Sequence, residues 1–75
     1  MISTHNIQDI TFEQNYIHLQ VDEKHVKISL DMVSQKLKAA NDLQRNFYKI
    51  SPSGYGIHWP LIDEDLSVDY LLKMA

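Results

Sequence analysis

Alternation of apolar and polar residues over three consecutive runs constrains this chain more than any other feature of its sequence. The apolar positions of the three runs are Ile10 and Phe12, then Ile17, Leu19 and Val21, then Val26, Ile28 and Leu30. Because successive side chains of a strand point to opposite faces, this pattern predicts three strands with one buried and one solvated face. We therefore expect an antiparallel meander between Ile7 and Leu30.

The first hairpin is predicted by matching apolar positions across its turn. Closing the chain at Gln14-Asn15 pairs Phe12 with Ile17 and Ile10 with Leu19. Asn15 tolerates the positive φ that tight hairpin turns require. A slip of one residue would turn every apolar side chain toward water, so we expect this register.

The second hairpin is predicted in the same way. Pairing Val21 with Val26 and Leu19 with Ile28 leaves residues 22–25 as the loop. Because this loop contains no glycine, we expect a four-residue connection rather than a tight two-residue turn.

A helical region is predicted between Met32 and Asn46. Asp31 can cap its start, and the apolar residues that recur at helical spacing are Val33, Leu37 and Ala40. The segment Asn41-Asp42-Leu43-Gln44 resembles a capping box that opens a further helical turn. The sequence leaves open whether one bent helix or two short helices form here.

Short strands are predicted again after the helices. Residues 47–50 are β-prone and end in the turn Ser51-Pro52-Ser53-Gly54, after which residues 55–59 form a further strand. Gly56 predicts a bulge or a close backbone approach within that strand. Pro60 lacks the N–H group that would extend it.

A helix of two turns is predicted at the end of the sequence. Ser67 is its N-cap, and Leu66 and Leu71 occupy the positions of a hydrophobic staple. Asp69 lies in its first turn and Lys73 in its last turn, as the helix dipole prefers. The predicted fold class is α+β: a small antiparallel sheet, made of the meander and one or two later short strands, packs against two or three short helices. We expect a single domain over residues 1–75.

Composition excludes several classes of function. The 75 residues contain no cysteine, so disulfides and thiolate metal sites are absent. The net charge is −3 and the seven Lys and Arg residues are scattered, so we do not expect direct nucleic-acid binding. Residues 1–6 lack the pattern of a signal peptide and no apolar run could cross a membrane, so we expect a cytoplasmic protein without membrane contact.

The chemistry-bearing residues favour recognition over catalysis. Acids at Asp63, Glu64 and Asp65 could chelate a cation, but their ordinary role is to solvate a loop before the last helix. We interpret these three acids, together with Tyr55 and His58, as candidate partner-binding residues. Trp59 could serve a protein interface, although we favour a place in the core for it.

No metal, cofactor or enzyme site is expected. The histidines His5, His18, His25 and His58 show no metal-binding spacing. In the predicted register, His18 lies on the polar face across from Thr11 and Ser29, and His25 lies in the turn. Ser53, His58 and Asp63 are close in sequence, which by itself does not indicate a catalytic triad. A core this small also leaves little room for a substrate pocket of the usual ~300 Å³ or more.

The chain resembles a known family over essentially its whole length, and the most specific match lies in its second half. The matching residues are Ser51-Pro52-Ser53-Gly54-Tyr55-Gly56-Ile57-His58-Trp59-Pro60, then Leu61, Asp63-Glu64-Asp65-Leu66-Ser67-Val68 and Leu71-Leu72. They are similar to the closing pattern of the small bacterial domain of unknown function numbered 2442, and its structural signature here is Gly54, Gly56, Trp59, Pro60, Leu66 and Ser67. Residues 22–24 and 31–33 depart from the family's usual turns.

The resemblance implies a small α+β domain of prokaryotes or their phages, with no established catalytic residues. It also implies a frequent neighbouring gene, in an arrangement similar to toxin–antitoxin pairs. We therefore expect a non-enzymatic interaction module, an antitoxin-like member of a two-gene pair. The alternative is a nucleic-acid-associated regulatory or ligand-sensing accessory domain. Because a small open sheet exposes an edge, a homodimer through that edge is also expected.

Overall fold

The computed structural model describes residues 5–75; residues 1–4, part of the segment considered for a leader, lie outside them. Within this range the chain forms four helices and six strands, and the strands make up two three-stranded antiparallel sheets. Sheet A contains β1 (Ile7–Glu13), β2 (Tyr16–Val21) and β3 (Lys24–Ser29), and sheet B contains β4 (Lys49–Ile50), β5 (Gly56–Trp59) and β6 (Glu64–Ser67). The helices are α1 (Leu30–Val33), α2 (Gln35–Ala39), α3 (Asp42–Asn46) and α4 (Val68–Met74). The α+β class and the meander are confirmed; the later strands number three within residues 5–75 and form a sheet of their own.

The first hairpin has the predicted register, with Phe12 opposite Ile17 and Ile10 opposite Leu19. The positive φ of its turn falls on Gln14, at 50°, and not on Asn15. Asn15 instead contacts the start of α1, because its carbonyl accepts a hydrogen bond from the Leu30 amide at 2.8 Å. The turn of the first hairpin thereby positions the start of α1.

The prediction for the second hairpin was wrong. Val21 pairs with Lys24, so Asp22 and Glu23 form a two-residue turn in which both φ angles are positive, at 50° and 66°. The Asp22 carboxylate stabilises this turn by accepting a hydrogen bond from the Asn6 amide at 2.8 Å. Moving β3 by two residues keeps every side chain on the same face, so alternation could not distinguish the two registers.

The helical region is divided into three short helices, which is neither of the two arrangements considered. Ser34 and Ala40 have extended backbone angles and separate the helices. The Ser34 hydroxyl accepts a hydrogen bond from the Leu37 amide and donates one to Glu64 on β6 at 2.6 Å. The position of the first break is therefore stabilised by a tertiary contact with β6.

The caps of these helices agree only in part with the predictions. The capping box of Asn41 and Gln44 is confirmed at the start of α3. Asp31 is not a cap, because α1 begins one residue before it. Its carboxylate instead accepts hydrogen bonds from Lys38 and Asn15, and these two partners hold the pKa of Asp31 below its usual value.

The prediction that Trp59 lies in the core is confirmed. Its side chain is fully buried, and its ring meets the Phe12 ring edge to face, with 6.5 Å between centroids. Residues from both sheets and from the helices complete this core: Ile10, Ile17, Leu19, Val21, Ile28, Leu30, Leu37, Ile57, Leu66, Val68 and Leu71. Trp59 therefore joins sheet A to sheet B.

The closing segment differs from the prediction in one element and agrees in another. Glu64 and Asp65, expected to lie in a loop, belong to strand β6, in which Leu66 lies opposite Ile57 at the core. The Ser67 cap is confirmed, since its hydroxyl accepts a hydrogen bond from the Tyr70 amide at 3.0 Å at the start of α4. Within residues 5–75, no helix has the length and apolar character needed to span a membrane.

The two glycines have different roles. Gly54 has a φ of 72°, and a Cβ there would lie 1.9 Å from the His5 carbonyl oxygen, so the site requires glycine. The expectation of a bulge or close approach at Gly56 was wrong. Its strand pairs with β6 without a register shift, and a Cβ at Gly56 would come no closer than 3.6 Å to the Leu66 carbonyl oxygen.

Candidate functional site

A groove of about 610 Å³ opens on the side of sheet B that carries Lys49, His58 and Asp65. We call it the sheet B groove; its lining residues are Lys49, Ile50, Ser51, Pro52, Tyr55, Gly56, Ile57, His58, Asp65, Leu66 and Ser67. Gly56 contributes no side chain to it. All three strands of sheet B therefore contribute to one concave surface.

A polar row crosses the sheet B groove from strand to strand. Lys49 lies opposite His58, and His58 lies opposite Asp65. The Nδ1 atom of His58 is 2.8 Å from Oδ1 of Asp65. Because a carboxylate only accepts hydrogen bonds, Nδ1 of His58 carries the proton of this bond. Within the described part of the chain no residue pairs with the Lys49 ammonium.

The other end of the groove is apolar. Tyr55 is 49% exposed and Ile50 is 41% exposed, and both lie beside the exposed Pro52. The turn that carries Tyr55 is fixed by Ser51, whose hydroxyl oxygen accepts hydrogen bonds from the amides of Tyr55 and Gly56, both at 3.1 Å. This wall of the groove is therefore held in place by hydrogen bonds within the chain.

Three of the five predicted partner-binding residues lie together in the groove: Tyr55, His58 and Asp65. Asp63 and Glu64 lie outside its lining. The Glu64 carboxylate is engaged within the fold, since it accepts hydrogen bonds from the Ser34 hydroxyl and the Asp65 amide. Glu64 therefore does not act together with Asp65, because successive residues of a strand point to opposite faces.

Sequence reasoning missed Lys49, Ile50 and Pro52 as residues of the groove. A turn was predicted at Pro52, and a strand was predicted to include Lys49. Their position beside Tyr55 depends on the pairing of β4 with β5, which two residues of β4 could not indicate in the sequence. Only the register of sheet B brings them to the same surface.

A second polar arrangement supports the groove from behind its turn. The His5 imidazole lies between two carboxylates, with Nδ1 2.6 Å from Asp22 and Nε2 2.7 Å from Asp69. The hydrogen bonds with Asp22 and then Asp69 raise the pKa of His5 above 6.5. The Asn6 amide and then His5 lower the pKa of Asp22 below 3.8. We call these three residues the His5 clamp.

The His5 clamp joins three distant parts of the chain to the groove's turn. Asp22 belongs to the second hairpin and Asp69 to α4. The His5 amide donates a hydrogen bond to the Ser53 carbonyl at 3.1 Å, next to Gly54. The segment at His5 therefore fixes the turn that leads to Tyr55. Within residues 5–75, no group of three or more His, Asp or Glu side chains is placed to hold a metal ion.

Fold and groove define a class of protein: a small α+β domain of two three-stranded antiparallel sheets with an open groove on the second. The chain belongs to the family described as "Protein of unknown function (DUF2442)", whose family model matches residues 7–75. The resemblance seen in the sequence is thereby confirmed. Neither the comparison with curated proteins nor the comparison with solved structures found a match.

Proposed function

We propose that this protein is a non-enzymatic interaction module that binds a short segment of a protein partner in the sheet B groove. The observation that carries this proposal is the position of the exposed Tyr55 beside the side-chain-free Gly56 and next to a charged row. Tyrosine is among the residues that most often anchor protein interfaces. The preformed turn at Ser51 limits the entropy that binding costs.

The surface favours an extended segment with an apolar side chain followed by a basic one. The apolar side chain fits over Gly56, between Tyr55 and Pro52. The basic side chain fits beside Asp65, whose carboxylate is 73% exposed. This preference agrees with the net charge of −3, which disfavours an acidic partner.

The biological role that we propose is that of an antitoxin-like partner in a two-gene pair of a prokaryote or phage, acting in the cytoplasm. It rests on the small size, the acidity and the gene arrangement implied by the family. Co-expression with the product of the neighbouring gene, followed by size-exclusion chromatography, tests this role. A joint peak supports it, and two separately migrating proteins without mutual effect contradict it.

Three variants test whether the groove forms the interface. Tyr55→Ala removes the aromatic anchor and Gly56→Ala fills the floor with a methyl group, and each is expected to weaken the complex at least about tenfold. Leu61→Ala is the matched control, because Leu61 is 50% exposed and lies outside the groove lining. Equal affinity for all four proteins would place the interface elsewhere.

A ligand-sensing accessory domain is the second candidate. The groove volume of about 610 Å³ lies within the range of small-molecule sites, ~300–1,000 Å³. A small ligand would shift the amide resonances of β4 and β5 without any partner protein. The related nucleic-acid-associated role requires retention on DNA or RNA that falls steeply with salt. An absence of retention at low salt would contradict it.

Homodimer formation through a sheet edge stays a prediction, and charge restricts which edges can meet. Edge strand β1 of sheet A exposes Asp9 and Glu13, and edge strand β3 exposes Lys24 and Lys27. Pairing like edges would oppose like charges, which destabilises strand pairs. We therefore expect a contact between copies through sheet A to join β1 to β3 and to weaken with salt.

A further inference from the structure

Two histidines meet on the face of sheet A that points away from the core. Nδ1 of His18 on β2 lies 3.4 Å from Nε2 of His25 on β3. Their rings are 5.4 Å apart between centroids and are tilted by 35°. The His18 side chain is 19% exposed, whereas His25 is an exposed residue. This pair lies on sheet A, apart from the sheet B groove and its proposed role.

The tight second hairpin brings these rings together. His18 lies opposite Lys27 and His25 lies opposite Gln20, so the two histidines are diagonal neighbours on one face. Diagonal neighbours across strands are within reach of aromatic side chains. A four-residue loop would have left His25 in the turn, away from His18.

The surroundings of the His18 Nε2 atom indicate which His18 nitrogen is protonated. Nε2 of His18 is shielded from solvent and finds no hydrogen-bond partner among residues 5–75, while Oε1 of Glu13 lies 3.4 Å away. A small adjustment would let Nε2–H donate to Glu13, and Nδ1 would then be the unprotonated nitrogen. Carboxylates placed behind a histidine in this way orient many metal ligands and fix their tautomer.

We propose that His18 Nδ1 and His25 Nε2 form a two-histidine site for a divalent transition-metal ion of the Zn²⁺, Ni²⁺ and Cu²⁺ class. Two imidazole nitrogens at ~2.0–2.1 Å from a tetrahedral ion are about 3.3–3.4 Å apart. The observed separation of 3.4 Å agrees with that value. Water completes the coordination, and Glu13 acts as a positioning residue. Imidazole pairs select such ions over Mg²⁺ and Ca²⁺, which prefer oxygen ligands.

The competing interpretation is an ordinary hydrogen bond between two neutral imidazoles, without any affinity for metal. Titration of the full chain, free of any polyhistidine tag, with Zn²⁺ followed by calorimetry and ¹H–¹⁵N spectra of the rings distinguishes the two. The proposal requires one Zn²⁺ per chain and shifts of the His18 and His25 ring signals, with tighter binding of Cu²⁺ than of Zn²⁺. Absence of binding at millimolar Zn²⁺ would overturn it.

Two variants test the location of the metal site, and a third variant serves as the control. His25→Ala should weaken Zn²⁺ binding at least tenfold. Because His25 is exposed, the variant should remain folded, and circular dichroism checks that it does. Glu13→Gln should weaken binding by a smaller factor, because it alters only the support of His18. His58→Ala, which removes a histidine paired with a carboxylate on sheet B, should leave binding unchanged. Equal affinity in His25→Ala and the original chain, or competition by Mg²⁺, would overturn the proposal.

Discussion

The indole Nε1 of Trp59 donates a hydrogen bond to the backbone carbonyl of Arg45 at 3.0 Å, in the buried part of the molecule. The Arg45 guanidinium in turn donates to the carbonyls of Leu37, Lys38 and Gln14, at 2.9, 3.1 and 2.7 Å. One arginine thus joins the end of α2 to the first hairpin, while its own carbonyl fixes the central tryptophan. Sheet A, sheet B and the helices share this connection.

Replacing Arg45 by Met should therefore destabilise the fold by about 3 kcal/mol. The apolar part of the side chain is kept, but one buried and two partly buried carbonyls lose charged donors, each of which is worth ~1.5–3 kcal/mol without strict additivity. Denaturant unfolding measures the loss. Lys73→Met, which removes an exposed cation from the last turn of α4, should cost less than about 1 kcal/mol. Equal losses in the two variants would contradict the role assigned to Arg45.

Alanine substitutions at the two glycines should have opposite effects. Gly54→Ala should cost about 2 kcal/mol or more, because an L-residue is strained at a φ of 72° and its Cβ would collide with the His5 carbonyl. Gly56→Ala should be neutral or stabilise by up to ~1 kcal/mol, since glycine is unfavourable in a strand and the site has room. Thermal unfolding of both variants checks this, and a large loss at Gly56 would contradict it.

Glycine at position 23 should stabilise the second hairpin. Glu23 has a φ of 66°, and left-handed backbone costs an ordinary residue ~1–2 kcal/mol. Glu23→Gly removes that strain but adds freedom to the unfolded chain, so we expect a net gain of about 0.5–1 kcal/mol. Glu23→Ala keeps the strain and should show no gain. A two-residue turn is refuted if both variants change stability equally.

The His5 clamp should make stability depend on pH. The raised pKa of His5 gives a contribution that is full below pH 6.5 and is lost as the pH rises through the folded-state value. The lowered pKa of Asp22 gives a contribution that is full above pH 3.8 and is lost as the pH falls through its folded-state value. The clamp should therefore contribute most between pH 3.8 and pH 6.5.

The comparison with His5→Gln isolates this effect from the other histidines. The difference in unfolding free energy between the two proteins should shrink as the pH rises from 6 to 9. A neutral imidazole carries only one N–H, so it can donate to only one of the two carboxylates. A difference that stays constant across this range would show that the protonated ring contributes nothing.

Alternation predicted the meander and the register of the first hairpin, because a one-residue slip would move the buried side chains to the solvent face. It did not predict the second turn, because a shift of two residues leaves the same side chains buried. The local loop composition then favoured four residues. The carboxylate of Asp22, held by Asn6 and His5, stabilises the tight turn instead.

Sheet B shows where local pattern ceases to be informative. Its strands β4, β5 and β6 have two, four and four residues, too few for a clear period. The candidate residues Tyr55, His58 and Asp65 were predicted from their chemistry, and pairing of these strands brings them to one groove. Lys49 became part of the site only through that pairing.

The sequence by itself determined the class of fold, the faces of sheet A, the burial of Trp59, the capping of α3 and α4, and the family. The fold class, the faces of sheet A and the helix caps depend on periodicity or on contacts between residues a few positions apart. The burial of Trp59 was predicted from its residue type, and the family from a long match of residues. Only the tertiary structure decided the register of β3, the formation of sheet B, the clamp at His5 and the meeting of His18 with His25. These features depend on contacts between distant segments, whose free energy no local pattern records.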